Sequence, residues 1–135
     1  MKIKNKDLVH VINFLDGLTV KGLKSIHRTS ISEKLKSKLE TFSKAQKQLQ
    51  EEFQKDTGTK KGEWHQEEYK KLLEQFNSID DTDSKVEISS LKSVINPLVA
   101  EDSEHEFKDG DAIGVAALYT ALELGKENNT EEVTA

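Results

Sequence analysis

Residues 30–53, SISEKLKSKLETFSKAQKQLQEEF, carry the most regular pattern in the chain, and the rest is read outward from them. The apolar residues Ile31, Leu35, Leu39, Phe42, Ala45, Leu49 and Phe53 are spaced by 4, 4, 3, 3, 4 and 4. That spacing keeps them on one face of a helix with 3.6 residues per turn. Ser30 followed by Glu33 fits a capping box, in which hydroxyl and carboxylate each satisfy a free amide of the first turn. Leu23, Ile26 and His27 continue the stripe backward, so the same period also admits a start near Gly22. Counted from Ser30, the helix is about 35 Å long at 1.5 Å per residue, the span of a small domain. Its lysines and arginine fall mostly off the stripe and give it a basic, wet flank. Lys24, Arg28, Lys34, Lys38 and Lys44 are the candidate interaction face.

On the N-terminal side, residues 1–3 are expected to form a short strand and Asn5 to cap a helix over 6–15. Leu8, Val11, Ile12 and Leu15 make its apolar face. Asp16-Gly17 ends it, with glycine as a left-handed cap. On the other side, 54–63 holds two glycines and no apolar residue, which predicts a loop. A second amphipathic stretch over 64–79 follows, with Tyr69, Leu72, Leu73, Phe76 and Ile79 on one side. The loop is short enough to fold it back on the long helix as an antiparallel hairpin.

Asp80 to Lys85 reads as a polar turn, and Val86-Glu87-Ile88 alternates like a strand that would pair with residues 1–3. Ser90 is placed as the cap of a helix ending near Val99, kinked or stopped by Pro97. Residues 100–108 are acidic and extended, with Phe107 as an anchor. The last helix starts at Asp109 or Asp111 and runs to Leu124; its apolar residues, among them Ile113, Val115, Leu118 and Tyr119, cover more than one face. So wide an apolar surface implies a central position or a partner. The resulting fold class is α+β, mostly α: a long helical hairpin packed with N- and C-terminal helices and a small two-stranded sheet. It forms one domain over 1–124, with a flexible C-terminal tail over 125–135 capped off by Gly125.

Composition fits this architecture. Apolar residues are 34% and charged residues 33% of 135, so the core is lean and concentrated on helix stripes. The absence of cysteine excludes disulfides, thiolate metal sites and a cysteine nucleophile. The N-terminal stretch breaks its apolar residues with charges and lacks a signal-peptide core, and no run reaches membrane-spanning length. Between Lys21 and Gln48 eight basic residues stand against two acidic ones, and from Leu49 onward 21 acidic residues stand against nine basic ones. A basic front half thus precedes an acidic back half, and the two either lie together or face water.

Catalytic and cofactor motifs are lacking. None of the four histidines forms a ligand pair, and there is no HExxH, GxxxxGK, GxGxxG or GxSxG. The aspartates of 80–85 resemble a calcium loop, but twelve positions counted from Asp81 end on Lys92, where a bidentate glutamate is required. No catalytic, cofactor-binding or metal residue is assigned, and no cofactor is expected. The basic segment has a single arginine and no stacking aromatic outside the apolar stripe, which leaves nucleic acid a minor place. Positions 35, 39, 42, 46, 49 and 53 also alternate like a coiled coil over about three heptads.

The order of these elements carries a resemblance. An opening Asn5-x-x-Leu8 helix, the stretch LTVKGLKSIHR, a long Lys/Glu-rich helix, a Glu/Tyr/Leu/Phe helix, the VEI segment and a terminal ALYTALE are similar to a family of small proteins, of unknown function, from tailed phages (siphophages) of Gram-positive bacteria. Lys21-Gly22 matches that family's hairpin connection, and residues 110–123 match its last helix. The resemblance implies a virion-associated or accessory role, in the host cytoplasm or on the particle, with no catalytic residues to carry over. The expected function is therefore non-enzymatic, through protein–protein contacts with a protein partner or a second copy. The alternative is a regulator or inhibitor of host machinery that engages nucleic acid or a nucleic-acid-binding protein through a charged face.

Overall fold

The computed structural model describes residues 1–55, 61–79, 84–100, 103, 104, 106, 107 and 109–124, with the side chains of 53–55 and 61–65 left aside. Strand β1 (Lys2–Lys4) runs through a 3₁₀ turn (Asn5–Asp7) into α1 (Leu8–Gly17), followed by α2 (Leu23–Lys55) and α3 (Lys61–Glu74). Strand β2 (Phe76–Ser78), α4 (Lys85–Val99) and α5 (Gly110–Ala121) complete the order. The fold is the mostly helical α+β class expected from the sequence. The expected tail over 125–135 and the Gly125 cap lie outside the described residues.

The long helix starts seven residues before Ser30. Gly22, at φ 64°, takes the left-handed turn that precedes it, and no glycine or proline interrupts the following 33 residues. Ser30 is therefore interior, and no capping box forms there. Ile31, Leu35 and Phe42 are buried, whereas no described residue of α2 after Phe42 is fully buried. The backward extension of the stripe fails at Leu23 and Ile26, which are 68% and 63% exposed. Among the described residues, nothing covers the first turn of α2 on that side.

The front half of α2 packs mainly on α4 and α1, and its back half meets α3 in the hairpin. Gln46, the polar position of the coiled-coil register, donates from Nε2 to Tyr69 Oη at 3.0 Å, so the stripe is used within the chain. α1 sits at the centre of the core, with Leu8, Val11 and Leu15 fully buried. Its most extensive neighbour is α5. Gly114 makes that closeness feasible: a Cβ there would lie 2.5 Å from the His10 carbonyl oxygen.

Three local expectations are corrected. The strand pair exists, but β1 pairs antiparallel with β2, Ile3 opposite Asn77, and Val86-Glu87-Ile88 belongs to α4. Three alternating residues cannot be told from a helix stripe, and Ile88, Leu91 and Ile95, buried at spacings of 3 and 4, select the helix. α4 begins after Ser84, upstream of Ser90, and Pro97 lies in its last turn. α3 ends at Glu74, before the strand, and Phe76 is exposed.

Asn5 explains that early end. It is not a helix cap: it is buried, its Nδ2 donates to the Leu72 carbonyl at the end of α3 at 2.7 Å, and its Oδ1 accepts from Asn77 Nδ2 at 2.6 Å. Asn5 N also donates to the Gln75 carbonyl at 3.0 Å. These bonds hold 76–78 extended against β1. Asn5→Ala removes two hydrogen bonds to half-buried partners, the Leu72 carbonyl and the Asn77 amide, which is expected to lower stability by about 1–3 kcal/mol; urea denaturation checks it. Gly17 is likewise not left-handed. The end of α1 is closed instead by Arg28, whose Nη1 donates to the carbonyls of Leu15 at 2.9 Å and Leu18 at 2.7 Å.

Candidate interaction surfaces

The five residues of the basic candidate face divide into two groups. Arg28 is committed to the C-terminus of α1, where a cation also meets the negative end of the helix dipole. Lys34 donates to Ser84 Oγ at 2.5 Å and lies 4.0 Å from Glu87, tying α2 to the start of α4. Lys24 and Lys38 are exposed, and Lys44 lies 3.7 Å from Glu40 one turn back. At 100° per residue Lys44 stands roughly 160° around the helix from Lys24, so the five do not form one surface. The sequence could place these charges on α2; it could not show which ones neighbouring helices would use.

Two acidic residues form the strongest charged clusters. Asp16, at the end of α1, accepts from Ser32 Oγ at 2.6 Å and pairs with Lys36 at 3.0 Å. The Ser32 hydrogen bond, then Lys36 and Arg28, hold its carboxyl below the ordinary range despite partial burial. Glu74 pairs with Lys4 at 2.6 Å and Lys6 at 2.8 Å, and these hydrogen bonds lower its carboxyl to about 2. Both groups bind fewer protons folded than unfolded. Their contribution is therefore complete above the unfolded carboxylate range and is lost as pH falls, for Glu74 toward about 2. Urea midpoints measured from neutral pH downward are expected to fall less steeply in Glu74→Gln and Asp16→Asn than in the parent.

Among the described residues, no three His, Asp or Glu side chains gather in a way that holds a metal ion. His10 lies against Gly110, and the buried Nδ1 of His27 has no hydrogen-bond partner among the described residues. His65 and His105 lie outside the described side chains, as do the aspartates at 80, 81 and 83. No described helix is long and apolar enough to cross a membrane.

The feature that stands out is α5. In GDAIGVAALYTA the only charged residue is Asp111. Gly114, Val115 and Leu118 face inward, yet beyond the exposed Asp111 of the first turn the outward positions hold no charge: Ile113, Ala116, Tyr119 and Thr120 are exposed, Ile113 at 46% and Tyr119 at 43%. Beside them, across a groove of about 530 Å³ lined by β1, Ile113, Ala116 and Thr120, lies Phe76, 56% exposed. The helical period of 64–79 puts Phe76 on the hairpin's apolar side; its place in β2 brings it to the surface instead. Phe107, the anchor expected from the sequence, makes an edge contact with Phe14, ring centroids 5.9 Å apart. Comparison of the chain with protein-family models, with curated proteins and with solved structures gives no match.

Proposed function

We propose that this protein is a non-enzymatic accessory or structural protein of a tailed phage, acting through protein–protein contacts in the host cytoplasm or on the virion. The exposed outer face of α5, uncharged beyond Asp111, carries the mode of action: a surface helix ordinarily turns charged or polar residues to water, and this one turns Ile113, Ala116 and Tyr119. The phage setting comes from the sequence resemblance. The charged-face alternative is weaker because Arg28 and Lys34 are bound within the fold.

Light scattering and a pull-down from infected cells, each run on the parent and on an Ile113→Glu/Tyr119→Glu variant, test the reading. Self-association, or one recovered protein, that is present for the parent and lost in the variant is expected. A strict monomer with identical recoveries from both overturns it. Binding to a labelled DNA or RNA that weakens steeply with salt favours the alternative instead.

A further inference from the structure

Phe76 stands between two hollows. The groove already described shares Lys2, Phe76 and Thr120 with a second hollow of about 620 Å³, reached across β1 and lined by Lys85, Ile88 and Lys92 of α4. The floor is apolar: Phe76, Ile3, Ile113 and Ala116 on one side, Ile88 and Leu122 on the other. The rim is basic. Among the described residues, Lys2, Lys4, Lys6, Lys85 and Lys92 line the two hollows together with the acidic Asp7 and Glu123, and Glu74 joins through its bonds to Lys4 and Lys6. Among the described residues, five cations stand against three anions on this surface, a balance of +2, whereas the chain as a whole carries −5. Lys4 Nζ also lies 5.5 Å from the Phe76 ring centroid, so one face of the ring carries a cation.

We infer that this double hollow docks an acidic segment of a partner protein, with an apolar side chain inserted beside Phe76 and carboxylates meeting the lysine rim. The inference rests on the protein-contact reading above and names the chemistry of the partner. Complementary charge selects the occupant: an apolar floor needs an apolar anchor, and a basic rim favours acidic flanks and speeds their encounter. A second copy joined two-fold through the same surface would set the lysine rim against itself. Nucleic acid fits poorly, because two of the lysines already hold Glu74, there is no arginine, and a single aromatic ring offers one stacking position.

Panning a displayed library of random dodecapeptides on the full chain tests this. Enriched sequences are expected to be acidic with an aromatic or large aliphatic residue. Phe76→Ser is expected to weaken the best of them roughly 10- to 100-fold, as loss of an anchor contact does. Lys2→Glu and Lys85→Glu are expected to weaken it with a reduced salt dependence. All three residues are exposed, and circular dichroism verifies that the variants fold. Basic or unrelated enriched sequences, or no enrichment, overturn the inference. So does binding indifferent to Phe76→Ser; if that binding is lost in Leu23→Ser/Ile26→Ser, protein contact stands while the groove is wrong. A labelled oligo-dT released by Phe76→Ser, or a dimer dissolved by it, also overturns the assignment of an acidic protein segment.

Discussion

Gly114→Ala is expected to lower stability by about 2 kcal/mol, against the usual preference of a helix for alanine. The added methyl would sit 2.5 Å from the His10 carbonyl oxygen and 2.9 Å from its carbonyl carbon. Those are backbone atoms inside α1, so they cannot rotate aside, and α1 and α5 must separate. Overpacking of this kind costs about 1–3 kcal/mol, and further losses follow as Val115 and Leu118 withdraw from the core. Alanine's better helix propensity offsets at most about 1 kcal/mol. Gly17→Ala is the control: nothing lies within 4 Å of its Cβ and its φ is not left-handed, so it should be neutral or slightly stabilising. Urea midpoints of the two variants decide the matter. If Gly114→Ala matches Gly17→Ala, the close approach of α1 and α5 is wrong.

Leu35→Ala is expected to cost about 2–5 kcal/mol, whereas Leu23→Ala on the same helix should stay within about 0.5 kcal/mol. Leu35 is fully enclosed between α2 and its neighbours, and Leu23 is 68% exposed. The contrast tests the division of α2 into a packed front half that begins after its first turn and a back half shared with α3. Equal losses at both positions, read by chemical denaturation, would mean that the first turn of α2 is covered within the chain.

What the sequence made legible follows from the range of the interactions involved. The stripe of α2, the fold-back of α3 and the broad apolar helix at α5 are periodic patterns longer than one turn, and each appears in the structure. The errors cluster where three or fewer residues carried the reading. Val86-Glu87-Ile88 alternates, yet Leu91 and Ile95 continue its stripe at helical spacing. Ser30, Asn5 and Ser90 are good capping residues, but Asn5 is drawn into bonds with Leu72 and Asn77, partners 67 and 72 residues away. Local propensity does not contain that information. Ser84 shows the same limit, since its hydroxyl accepts from Lys34 instead of capping α4.

The candidate surface was legible in part. The excess of apolar residues over 110–124 implied a central position or a partner; α5 packs extensively on α1, and its outer face is where the rest of that excess is exposed. The lysines of α2 advertised charge, but Arg28 and Lys34 serve as internal ties that only the packed helices define. The cationic rim around Phe76 was not visible, because it joins Lys2, Lys4 and Lys6 to Lys85 and Lys92 through a strand pairing that the sequence assigned to a different segment.

The central claim, that another protein covers the outer face of α5, is tested most directly by photo-crosslinking. A photoreactive residue at position 119, and separately at position 38 on α2, is introduced into the full chain, and adducts are collected from infected cells. Both positions are exposed, so both variants should fold. A discrete protein adduct from position 119 that is absent from position 38 is the predicted result. Adducts from position 38 alone, or none from position 119, would contradict it.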